Sequence, residues 1–420
     1  MKWKLYVLAF FFLPICLFAQ RKEKPTLLVY GESVEAVSAA VQSALSSVPT
    51  LWVTPQKIDA IWDIDFEELA RSEQNLEGGV WMKLLMDVAK HKSPNDSIAQ
   101  EVKKQLTAIQ LSEASNALLS GLSKLTILEN TTIEKIKLGK RGWQVLLSDR
   151  KRYAPYAIVD ASQTQQLVSR TALEDRLQEG ESTTAVSNFS DFASQRTILA
   201  VGTDQGNVHQ LLSSELLEPV KNNFFTLKCL NGLESNNQNI ALRMQYAQAV
   251  GGAAAYSAFF KKAADKIDVR KLQSELLTYR VRLLPTADVS TENKHFKSLE
   301  KIFLTGIFST ENNHFQQDKQ VSYAEIQPAM TQLFSRSQLW FLDNEGEWLS
   351  WKDAIELVKF VSTRGKEVNR QIEEGWTNRF GFGNEYDANR PITRGEFAVI
   401  LDQFANPYAV SVTHAGEIRR

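Results

Sequence analysis

Only two cysteines occur among the 420 residues, Cys16 and Cys229. No internal disulfide framework and no cysteine-rich metal site can be built from them. The five histidines, His91, His209, His295, His314 and His414, lie far apart and in no ligand spacing, so no zinc centre or other metal site is expected. An excess of one charge is missing too. The 48 Lys+Arg stand against 49 Asp+Glu, without the basic surplus of a general nucleic-acid binder. Eleven prolines and 20 glycines are too few for long flexible linkers. There is no G-x-S-x-G elbow. The acidic neighbours Asp63/Asp65 and Glu67/Glu68 read as a solvated helix start rather than a glycosidase pair. What remains is 43% hydrophobic and 23% charged, an ordinary globular composition on a chain long enough for two or three domains.

The one long apolar run is at the start. Lys2 and Lys4 precede Leu5 to Phe18, and Ala19-Gln20 then gives way to Arg21-Lys22-Glu23-Lys24. A basic start, a short apolar core and a small residue at its end predict a secretory signal peptide over 1–20 and a secreted or periplasmic protein. An uncleaved anchor is the alternative, disfavoured because the run is short for a bilayer span. Cys16 follows the bulky Ile15 where a lipobox wants a small residue. Cleavage leaves Cys229 alone, as a buried and inert thiol.

From residue 25 the pattern is α/β. Thr26 to Tyr30 is an apolar strand, followed at once by Gly31-Glu32-Ser33-Val34-Glu35-Ala36 and small apolar residues at helical spacing through Leu45. Leu51-Trp52-Val53 is a second short strand ending at Thr54-Pro55. This βαβ opening places a turn where dinucleotide-binding folds put their phosphate loop. Helical sequence runs from Asp63 to about Ser120. Leu125–Leu128, Thr132–Ile136 and Gly142–Leu147 read as a three-stranded β-meander, and Tyr156–Asp160 as a strand running into Ala161-Ser162. Residues 177–195 are polar and predict a loop. Asn239–Met244 leads into Gln248–Tyr256, a helix whose Gly251, Gly252 and alanines allow close backbone approach.

Residues 296–408 change character. Ser322-x-x-Glu325, Ser350-x-x-Asp353 and Thr393-x-x-Glu396 are three hydroxyl-started helices, the first and third with the pattern of a reciprocal capping box. Trp340, Trp348, Trp351 and Trp376 crowd the same stretch. A smaller α-helical domain with aromatic anchors is predicted there.

In their order these pieces resemble the secreted FAD-dependent oxidoreductases of the glutathione-reductase-like flavoprotein type. Val29-Tyr30-Gly31 is similar to that family's opening turn, Ile158-Val159-Asp160-Ala161 to its I-D-A-T-G stretch, and Arg243-Met244-Gln245 with Gly251–Ala255 to its late flavin-domain helix. Arg282, Leu284-Pro285, His295-Phe296, Gly306-Ile307 and Pro391–Phe397 resemble the tail, which is itself similar to S-layer-homology modules. The resemblance covers about residues 26–162 and 239–405. It implies a Rossmann-like FAD/NAD(P)-binding core with a β-meander over 25–290 and a helical S-layer-homology-like domain over 296–408. The cofactor positions it implies are Gly31, Ser33, Ala36, Thr54, Arg243, Gly251 and Gly252, with no catalytic residue assigned. Arg243 reads equally as an exposed cation on a helix start or as a flavin or phosphate contact.

The departures bear on function. Pyrophosphate needs close approach to amides at a helix N-terminus, which is why glycines stand there. Here Glu32, Ser33 and Ala36 replace all but Gly31, and Glu32 and Glu35 bring two negative charges. Repulsion from each is expected to cost on the order of 1 kcal/mol. Thr54 stands where an acid would hold the adenosine ribose, Gln56–Trp62 replaces a glycine-rich loop, and Ser162-Gln163 replaces a glycine. Two functions are therefore expected. One is an exported FAD-dependent oxidoreductase-like protein acting on a small-molecule substrate, its FAD binding weakened or lost. The other is a non-catalytic, envelope-associated binding protein that retains the flavoprotein fold.

Overall fold

The computed structural model describes residues 23–72, 76–162, 165–171, 185–233, 236–383 and 385–419. The predicted signal peptide over 1–20, Gln163 and the first part of the 177–195 loop lie outside them.

Strand β1 (Leu27–Tyr30) is apolar at every position and buried on both faces, as the interior of a parallel sheet requires. It leads through the Gly31 turn into helix α1 (Val34–Leu45) and back into β2 (Thr50–Val53). Four helices, α2 (Phe66–Ala70), α3 (Gly79–Val88), α4 (Asp96–Gln105) and α5 (Ala108–Ser120), then cross over to β3 (Leu125–Leu128). β3 pairs in parallel with β2, Leu125 opposite Thr50 through Leu128 opposite Val53. Leu125–Leu128 is thus an edge of the main sheet, not the first strand of the meander. A long helical crossover is what a parallel partner needs, whereas a meander strand would be joined by a tight turn.

The meander begins one strand later: β4 (Ile133–Gly139), β5 (Gly142–Leu147) and the short β6 (Arg152–Tyr153), paired antiparallel in that order. β7 (Ala157–Asp160) returns to the main sheet beside β1, Leu27 opposite Ala157. Helix α6 (Phe192–Thr197) occupies the end of the segment expected to be loop. Asp191 explains it, accepting the Ala193 and Ser194 amides as an N-cap. A hairpin of β8 (Ile198–Asp204) and β9 (Asn207–Leu212) turns at Gln205-Gly206, both at positive φ. After α7 (Ser213–Leu217), β10 (Phe224–Thr226) completes the five-stranded parallel sheet in the order β10-β7-β1-β2-β3. The fold is α/β, a Rossmann-like parallel core with an attached meander.

Helix α8 (Ile240–Phe260) is buried over nearly all of its 21 residues and lies parallel to α1. Ser38 Oγ donates to the Met244 carbonyl at 2.6 Å, Gln248 to Gln42 at 2.7 Å, and Ser43 to the Gly251 carbonyl at 3.2 Å.

The remaining helices are α9 (Val269–Thr278), α10 (Phe296–Phe303), α11 (Tyr323–Leu333), α12 (Ser337–Asp343), α13 (Trp351–Ser362), α14 (Glu367–Gly375) and α15 (Arg394–Ile400). Ser322, Ser350 and Thr393 each cap the amide three residues on, and the Thr393/Glu396 box is reciprocal. At Ser322, Glu325 directs a carboxylate oxygen to Arg394 instead of closing a box. Trp351 packs with Trp376 and Phe382, ring centroids 4.7 and 5.3 Å away, while Trp348 is exposed. This helical region is fastened to the α/β part by buried polar contacts. Glu300 accepts the Leu283 and Leu284 amides, Arg196 donates to the Thr305 carbonyl, and Arg270 donates to the Leu304 and Val410 carbonyls. Burial pushes the Glu300 carboxyl up to about 7, against the pull of those amides and of Arg282.

Candidate dinucleotide site

In open α/β sheets the ligand crevice lies beyond the carboxyl ends of the strands, where the strand order reverses. Here that place is bounded by the ends of β1, β2 and β7. Gly31 is required by the backbone. It sits at φ +152°, and a Cβ there would stand 2.5 Å from the Ala161 carbonyl oxygen at the end of β7. That closeness is a strand-to-strand contact, not an opening for a ligand.

The carbonyls and side chains around the turn are engaged with one another. Trp52 is fully buried and donates its indole N–H to the Gly31 carbonyl at 3.0 Å. Gln56 donates to the Glu32 carbonyl at 2.9 Å. Ser33 points its hydroxyl at the Ala161 carbonyl, 3.2 Å away, and does not cap α1. Ser33 and Val34 are each 5% exposed. Thr54, at the ribose position, is completely buried and donates to the Gln56 carbonyl at 3.2 Å. Ala36 is fully buried as well.

Two carboxylates occupy the same end. Asp160 is fully buried; its Oδ1 accepts the Ser162 hydroxyl at 2.6 Å and its Oδ2 the Leu167 amide at 2.8 Å. Burial raises its pKa above the usual carboxylate range, opposed by those hydrogen bonds. Glu32 is half-buried, and its Oε2 is enclosed without a hydrogen-bond partner. Burial raises its pKa first, and Asp160 adds to the rise. Tyr30, on the strand just before the turn, donates to Gln166 at 3.3 Å, and burial followed by Glu32 raises its pKa.

Glu35 and Arg243 stand otherwise than the sequence suggests. Glu35 is buried inside the α1–α8 seam and pairs with Arg243, whose Nε lies 2.5 Å from Oε1. Arg243 also donates to the Asn236 carbonyl at 3.0 Å. The guanidinium is neither the exposed cation of one expectation nor free for the phosphate contact of the other. Gly251 and Gly252 lie further along the same seam. A Cβ on Gly251 would come within 2.5 Å of the Ala39 carbonyl oxygen of α1, and one on Gly252 within 3.1 Å of Leu276. The structure thus brings Gly31, Ser33, Thr54 and Ala36 together at one crevice and leaves Arg243, Gly251 and Gly252 between helices. Trp52, Gln56 and Asp160 also belong to the crevice; the sequence points to Gln56 as part of a replaced loop and to Asp160 as part of the I-D-A-T-G-like stretch, but gives Trp52 no role there. Trp52 reads in the sequence only as strand hydrophobicity, yet an indole one residue from a strand end is a donor within reach of a turn carbonyl.

Two carboxyl groups, one with an unpartnered buried oxygen, stand at the end of the strands where a dianionic pyrophosphate would have to lie. Among the described residues no cluster of three or more His, Cys, Asp or Glu is arranged to hold a metal ion.

No protein-family model matches the chain, and no curated protein matches it. Among solved structures it is similar to the thioredoxin reductase of T. acidophilum, at 13% identity over 33% of this chain and a TM-score of 0.21. The match spans only 34% of the reductase's own length. It is also similar to PqsL, a probable FAD-dependent monooxygenase from Pseudomonas aeruginosa, at 12% identity over 67% of this chain and 96% of that one, with a TM-score of 0.32. A GidA-related protein from Thermus thermophilus matches at 13% identity over 54% of this chain and 98% of that one, TM-score 0.30. At these values the likeness stands beside the geometry without adding to it.

Proposed function

We propose that this is an exported protein that retains a flavoprotein-type fold while its FAD binding is weakened or lost, and that it serves as a non-catalytic binding protein at the cell envelope. The observation that carries the first half is the closed turn. Trp52, Gln56 and Ser33 engage the carbonyls of Gly31, Glu32 and Ala161, and Glu32 and Asp160 bring two acidic groups to the end where a further anion would have to bind. Export is supported by the basic-apolar-small pattern of residues 1–20, and envelope association by the S-layer-homology-like segment.

The test is the visible absorption spectrum of the purified protein with a calorimetric titration of FAD. A colourless protein with weak, substoichiometric binding is expected. A yellow protein carrying one FAD per chain overturns the reading. One observation favours that second outcome: the Ser33 hydroxyl leaves the first-turn amides of α1 without a side-chain cap. An FAD-dependent oxidoreductase acting on a small molecule would then replace the proposal. Export is tested separately, by mass spectrometry of the exported material, which should begin at or within a few residues of Gln20.

A further inference from the structure

We infer that the opposite end of the sheet, around Tyr156, is a contact site for an anionic lipid surface. Helix α8 is buried until its last turn and then projects Phe259 and Phe260, which are 60% and 49% exposed. The two rings pack on each other at 5.0 Å, and Phe260 packs on Tyr256 at 4.6 Å. Lys261 and Lys262 follow directly, both exposed, and the Lys261 ammonium sits 4.8 Å from the centre of the Tyr156 ring.

Tyr156 joins three parts of the chain at this end. Its amide donates to the Thr26 carbonyl at 2.7 Å. Its Cα lies 3.1 Å from where a Cβ on Gly142 would stand, which brings in the β4–β5 hairpin tip. That tip carries Leu138, 49% exposed, with exposed Lys140 and Arg141. Exposed Lys24 adjoins Thr26. The acids nearby in sequence are already paired, Glu23 with Lys124 at 2.7 Å and Asp265 with Lys266 at 2.9 Å. Cations therefore dominate an end that also exposes three large apolar side chains.

Large rings beside flexible lysines are the chemistry of a bilayer interface, where the rings lie at headgroup depth and the ammonium groups meet anionic lipid. Charge complementarity favours this occupant over a soluble partner: exposed Lys24, Lys140, Arg141, Lys261 and Lys262 surround the apolar side chains, and the nearby acids are already paired. The inference is independent of the closed crevice, which lies at the other end of the strands, and FAD titration does not bear on it.

The test is co-sedimentation of the full chain with vesicles of phosphatidylglycerol and phosphatidylcholine, compared with vesicles of phosphatidylcholine alone. Wild type and variants share the same N-terminus, so differences between them read the patch. F259S/F260S should lower partitioning to the anionic vesicles at least tenfold. K261N/K262S should lower it and weaken its salt dependence; asparagine tolerates the left-handed backbone at 261. Should a variant fail to keep the wild-type circular dichroism spectrum, hydrogen exchange on wild type decides. Slower exchange at 138–142 and 257–263 on adding anionic vesicles supports the site, and unchanged exchange overturns it. Equal partitioning of wild type and F259S/F260S overturns it, and so does equal binding to neutral and anionic vesicles. A dimer of wild type that F259S/F260S dissociates with vesicle binding unaltered also overturns it, and assigns the patch to a second copy of the chain.

Discussion

Glu32 and Glu35 are three residues apart at the head of one helix, and removing each should have opposite consequences. In Glu35→Ala the guanidinium of Arg243 stays in the α1–α8 seam with only the Asn236 carbonyl to satisfy it. The side chains of the pair are 6% and 11% exposed. Breaking a pair that deep costs about 3–5 kcal/mol, most of it the penalty of a buried unpaired charge. At an m-value of about 3 kcal/mol/M or more in urea, the unfolding midpoint followed by circular dichroism should fall by about 1 M. Glu35→Gln keeps an acceptor and should lose less. Glu35→Leu combined with Arg243→Met removes both charges and should recover most of the loss. FAD affinity should not rise in Glu35→Ala, because this carboxylate does not face the crevice. A midpoint within about 0.2 M of wild type, with m unchanged, would refute the account of a buried pair, since that is less than about 1 kcal/mol.

Three further outcomes are expected. Glu300, held at about 7 against an ordinary value of 4.5, keeps a proton in the folded state that the unfolded chain releases. The Glu300 contribution to stability should therefore be greatest below about pH 4.5 and fall as pH rises to about 7, by about 3 kcal/mol in all. Glu300→Gln should flatten that slope in pH-dependent melts. Gly251→Ala forces a methyl onto the Ala39 carbonyl and should destabilise by about 1–3 kcal/mol in the same urea assay. Cys229, half-buried, free and pushed up to about 12 by burial, should alkylate slowly at pH 8 in a timed mass assay, and the Tm should be indifferent to reductant.

Elements with strong local signals were legible in the sequence. β1, α1 and β2 announce themselves by an unbroken apolar run, a glycine and small residues at helical spacing. The caps at Ser322, Ser350 and Thr393 act within three residues of themselves. What depended on distant partners was not legible. Leu125–Leu128 reads the same as a meander strand or a parallel edge, and only pairing with β2 decides. Glu35 looks like a phosphate-repelling charge until Arg243, 208 residues away, is placed beside it. The loss of phosphate-loop glycines was visible, but the closure itself was not, because Trp52 and Gln56 act through hydrogen bonds that no motif encodes.

The parallel seating of α1 against α8 has a consequence in time. Ser38 meets the Met244 carbonyl across 206 residues of chain, so the first helix is synthesised long before its main packing partner. At about 5–20 residues per second on the ribosome, α1 waits roughly 10–40 seconds without the surface that buries Ser38, Ser43, Gln42 and Glu35. Its sheet is incomplete for nearly as long, since β10 ends at Thr226. The N-terminal third of a nascent chain of this kind stays open and loosely collapsed through the interval in which a leader at its front would be read, and it closes only when the late helix arrives.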